Sequence, residues 1–169
     1  MIRTRSQRGA TVLEVAISLA VLVIAIIPAI GSMQATMNTQ QNLMSQELLE
    51  EKVRRAGEQC AFHLRGAGLE TLTGVPEAPE TSQLIRYRRQ TGFDPETGPT
   101  FGDEMMLFFS EGFLKWNSAA FTSVIARQLT NVTFSREGRT IRVRLRADAT
   151  DPKGDRISVE RTTHVTLEN

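Results

Sequence analysis

Residues 10–30 read ATVLEVAISLAVLVIAIIPAI. Apart from Glu14 the run has no charge, and at about 20 residues it is long enough, as a helix rising 1.5 Å per residue, to span a ~30 Å hydrocarbon core. A secretory signal peptide has a shorter apolar region followed by a small-residue cleavage site. Arg3, Arg5 and Arg8 precede the run, and no Lys or Arg follows it until Lys52. The positive-inside bias therefore predicts a single-pass protein of the inner membrane, N-terminus cytoplasmic and the remainder outside. Glu14 is the exception in the run. An ionised carboxylate costs about 2.5–3.5 kcal/mol at mid-bilayer and less near the interface. Two readings are open for it: a glutamate that reaches back to the headgroups, or a functional residue with a partner to be found.

Beyond the run a helical pattern continues. Met33, Met37, Met44 and Leu48 fall at spacings of four and seven, and Leu49, Val53, Ala56, Cys60 and Leu64 recur at three and four. This predicts one apolar face, with Glu50–Arg54 and Glu51–Arg55 as i,i+4 pairs elsewhere on the surface. The expected helix runs from Thr11 to about Gly66, near 80 Å long, with Gly66 and Gly68 as stop signals. Residues 10–30 would be its transmembrane half and 31–68 its amphipathic half. Pro28 and Gly31 interrupt the apolar run. Proline removes a helical hydrogen bond, which allows either an ordinary kink near the membrane edge or a segment able to unwind.

Residues 69–169 read as a β-rich head. Strands are expected at 83–89, 105–109, 113–116, 132–134, 140–147 and 156–167, with loops at 71–79 and 92–102. Ser110-Glu111-Gly112 and Arg136-Glu137-Gly138-Arg139 read as hairpin turns. In 140–147, Ile141, Val143, Leu145 and Ala147 alternate with Arg142, Arg144 and Arg146, so one face is built to pack and the other to meet water. The fold class is α+β: a long N-terminal helix on an antiparallel meander of four or more strands.

The charge is near balance, at +1, which gives no compositional case for a nucleic-acid partner. The single cysteine, Cys60, rules out an intramolecular disulfide and reads as a small buried residue. Cys60 and His63 lie one helical turn apart, but two ligands do not make a zinc site. Asp148, Asp151 and Asp155 could offer oxygens to calcium, or simply solvate a hairpin turn. The row Arg142, Arg144, Arg146 could touch DNA or an acidic partner, or be a charged sheet face that discourages edge aggregation. No phosphate loop or nucleophile elbow is present, and no cofactor or enzymatic activity is expected.

Residues 8–15, RGATVLEV, resemble the prepilin processing and methylation motif of type IV pilins and type II secretion pseudopilins. The resemblance covers about the first 35 residues. It implies a leader at 1–9, cut after Gly9 by a membrane prepilin peptidase that then methylates the new amine of Ala10. It also makes Glu14 the fifth mature residue. The family usually has phenylalanine or methionine where this chain has Ala10, and minor members vary there. By the same resemblance Glu14 pairs with the N-terminal amine of a neighbouring subunit, and the expected partners are that peptidase, other pilins or pseudopilins and membrane lipid. The expected function is a non-enzymatic, minor subunit of a pilus or pseudopilus. The alternatives are a filament-tip module for DNA or a secreted substrate, and a membrane-tethered domain that never assembles.

Overall fold

The computed structural model describes residues 12–151 and 154–167. Its longest element is α1, Val12–Leu64, followed by a 3-10 turn, Leu69–Thr71, and seven strands. The chain divides into two compact units, Met1–Asn42 and Leu43–Asn169. In the first, the described residues form the N-terminal part of α1, with almost every side chain exposed. The second is an α+β head: the remainder of α1 packs on two antiparallel sheets.

The burial of α1 follows part of the expected pattern and corrects the rest. Leu49, Val53, Ala56, Gly57, Cys60 and Leu64 are buried. Met33, Met37, Met44 and Leu48 are not; they are half to more than two-thirds exposed. The two series are a different face each, because Leu48 and Leu49 point about 100° apart on a helix of 3.6 residues per turn. The Glu51–Arg55 pair forms, at 2.5 Å. The expected Glu50–Arg54 pair does not: Arg54 bonds Glu51 and Glu58, and Glu50 accepts from Gln46. The helix stops two residues early, at Leu64, and Gly66 then takes φ +78, the left-handed cap conformation that glycine adopts without strain.

One sheet is β1 (Leu84–Asp94), β2 (Gly98–Ser110), β3 (Phe113–Asn117) and β4 (Thr122–Arg127), in that order. The other is β5 (Asn131–Glu137), β6 (Thr140–Thr150) and β7 (Arg156–Thr166). The single meander expected from sequence is thus two meanders. The loop expected at 92–102 is mostly strand, since β1 and β2 pair through it from Gly92↔Thr100 to Asp94↔Gly98. Gly92 is there for close approach rather than for turning: a Cβ on it would lie 2.9 Å from Thr100 Oγ1. The chain reverses instead at 95–97, where Asp94 Oδ1 accepts the Glu96 amide at 2.9 Å. β4 had no counterpart in the sequence reading. The β2–β3 turn is as expected, with Glu111 at φ 53 and Gly112 at φ 79, the left-handed pair of a type I′ hairpin.

The core gathers the inner faces of both sheets around α1. Ile141, Val143, Leu145 and Ala147 on β6 are fully buried, together with Tyr87, Leu107, Leu114 and Phe134. Helix and second sheet approach closely at Gly57, where a Cβ would stand 2.6 Å from Thr163 Oγ1. Two sheet edges are closed by loop backbone. Ser82 and Phe134 exchange amide–carbonyl bonds of 2.9 and 2.7 Å along β5, and Thr73 and Arg86 do the same at 2.9 and 3.0 Å along β1.

Candidate functional site

Gly9 and Ala10 lie outside the described residues. Glu14 stands in the first turn of α1, where the helix dipole favours a negative charge. Around it Val12, Leu13, Val15 and Ile17 are more than half exposed. The most apolar 18-residue stretch of α1 has a mean hydropathy of 2.7, and none of its residues is buried. α1 is therefore long and apolar enough to cross a membrane. Four of its hydroxyls fit an apolar medium as well. The hydroxyls of Ser18, Ser32, Thr36 and Thr39 each donate to a carbonyl three or four residues back, at 2.8–2.9 Å, and need no water. The helix is continuous through Pro28 and Gly31.

The arginine row of β6 shares one face of the sheet, and each member already faces a carboxylate. Arg142 bonds Glu137 at 2.6 Å, Arg144 bonds Glu160 at 3.2 Å and Arg146 bonds Asp148 at 3.1 Å. Asp148 also accepts from Arg156. Bonds from Ser158 and then Arg156 hold its carboxyl well below the usual carboxylate range. Asp151 Oδ1 accepts the Asp155 amide at 2.7 Å. Among the described residues no three His, Cys, Asp or Glu side chains come together as metal ligands would. Cys60 is fully buried, and burial pushes its thiol up to about 12. It is a packing residue, not a nucleophile.

Arg89 and its neighbours had no place in the sequence reading. The Arg89 guanidinium donates to the carbonyls of Phe62 and His63 at 3.0–3.3 Å and so closes the C-terminal end of α1. It also lies over the Phe62 ring, 5.8 Å from its centroid. His63 stacks on Trp116 at 4.6 Å, and Trp116 meets Phe121 edge-on at 5.3 Å. Trp116 Nε1 donates to the Tyr87 hydroxyl at 3.1 Å. Burial pushes the Tyr87 phenol up to about 12. These contacts staple the end of the helix to β1 and β3. The alternation in 83–89 pointed to a strand, but nothing in it marked Arg89 as a helix cap, because its acceptors lie about 26 residues away.

No family model, no curated protein and no solved structure matches this chain.

Proposed function

We propose that this protein is a non-enzymatic subunit, minor in role, of a type IV pilus or a type II secretion pseudopilus. One observation carries the reading: a glutamate five residues after Gly9, within an apolar helical stretch none of which is buried. A plain anchor gains nothing from a carboxylate there. Prepilin peptidase cuts after Gly9, which frees a positive amine on Ala10, and then methylates that amine. A neighbour's Glu14 then meets that amine in lipid, and two opposite charges removed from water together cost less than either alone. Bulk apolar contact between helices fixes no axial position, whereas this pair does. The arginine row of β6 lends DNA capture no support, since its charges are matched in place.

Mass spectrometry of the chain extracted from its native membrane tests the proposal. The expected mature protein begins at Ala10 and carries one added methyl group. An intact Met1 start, or cleavage beyond Ile30, would refute it.

A further inference from the structure

Four sheet edges exist in the head, and they are not treated alike. Those of β1 and β5 are closed by loop backbone. β7 is open but carries Arg156, Glu160, Arg161 and His164, and such charges blunt an edge. β4 is open and lacks charged guards: Thr122–Arg127 reads TSVIAR, with no proline and no charge before its last residue, and its one irregularity is a bulge at Ile125 in its pairing with β3. Among the described residues its backbone pairs only with β3. An open row of amides and carbonyls is a template for one more strand.

Beside β4 runs a groove of about 420 Å³ between the strand and α1. Leu48 and Ile125 supply its apolar surface over the buried Ala56, and Leu48 is 70% exposed. Lys52 and Arg127 stand on its walls with no carboxylate partner among the described residues, and Lys52 donates to Gln128 Oε1 at 2.7 Å. The one carboxylate among the lining residues, Glu51, is already taken by Arg54 and Arg55. The edge calls for an extended backbone, the groove for apolar side chains at alternate positions, and the walls for carboxylates.

We infer that β4 is a docking edge for an extended, acidic segment of a different protein, which adds a strand to the sheet and lays alternate side chains over Leu48 and Ile125. Charge argues against a second copy of this chain as the occupant. Pairing β4 with β4 would bring two sets of the same cations together. Pairing β4 with β7 would set them against Arg65 and Arg161, since the carboxylates there are taken, Glu58 by Arg54 and Glu160 by Arg144. The inference is independent of the filament reading.

The test uses the full chain in detergent micelles and fluorescent six-residue peptides. One alternates valine with glutamate, one alternates valine with lysine, and a third is the glutamate peptide with alternate amides N-methylated. Anisotropy should show the glutamate peptide binding at least tenfold more tightly than either of the others, because the site reads both charge and backbone. Lys52→Glu together with Arg127→Glu should reverse the preference between glutamate and lysine peptides while leaving the thermal midpoint in place. Equal binding of the two charge types, indifference to N-methylation, or no binding of the glutamate peptide would overturn the inference. So would efficient disulfide cross-linking between copies carrying Ser123→Cys, which would assign the edge to self-association.

Discussion

Arg89 does at one position what the end of a long helix requires. The last carbonyls of α1 have no partner within the helix, and a guanidinium answers two of them while adding a positive charge at the negative end of the dipole. Hydrogen bonds to charged groups contribute about 1.5–3 kcal/mol, so Arg89→Met should lower the head's stability by about that amount. The fluorescence of Trp116, the sole tryptophan, followed through a denaturant titration, would measure it. His63 beside it provides a pH test. Burial first, and then the Arg89 charge, hold its imidazole below the ordinary value. In the unfolded chain the group takes its proton near pH 6.5, before the folded protein does. His63 therefore contributes stability that is complete above about pH 6.5 and is lost as the pH falls below it. The stability of His63→Phe, compared with wild type at pH 7.5 and 5.5, should fall less on acidification. An equal fall in both would exclude His63 as the source.

At the scale of elements, α1 shows what periodicity can and cannot tell. Spacings of three and four located the buried face at Leu49–Leu64, because that face is the one packed into the core. The same spacing placed Met44 and Leu48 with them, since a repeat says that a stripe is apolar but not what covers it. The difference is measurable. Leu64→Ala, fully buried, should cost about 2–5 kcal/mol, whereas Leu48→Ala should stay within about 0.5 kcal/mol. Strands were legible where alternation was clean, as in β6, and illegible where glycine density resembled a loop, as at 92–102, or where the apolar run was short, as in β4. Gly57 belongs to this scale, because it sets how near the helix comes to the second sheet. Gly57→Ala drives a methyl into Thr163 Oγ1. Thr163→Ala should be costlier in the wild-type background than with Gly57→Ala present, giving a coupling of about 1–2 kcal/mol in a thermal or denaturant double-mutant cycle.

For the whole molecule the question is what covers the first part of α1. Fully burying an aliphatic side chain is worth about 1.5–3 kcal/mol, and the residues around Glu14 leave many such side chains exposed. The total, tens of kcal/mol, favours burying this stretch, and on the proposed reading lipid or other subunits supply the cover. Glu14 separates those two surroundings. If it only reaches to the headgroups, Glu14→Ala removes a charge from an apolar run and should be silent or slightly helpful. If it meets a neighbour's amine, its loss leaves that amine buried without a partner. Breaking a buried pair costs about 3–5 kcal/mol, which is roughly 150- to 5,000-fold in an association constant. Insertion should survive, because the apolar run and the arginines before it are untouched. On the proposed reading cleavage should survive too, because Gly9 remains. The expected result is a variant that is inserted and processed at wild-type levels yet is missing from sheared filaments and from partner subunits recovered with it. Equal recovery of wild type and Glu14→Ala would show that the carboxylate has no part in assembly, and loss of the variant from the membrane would place its role in targeting instead.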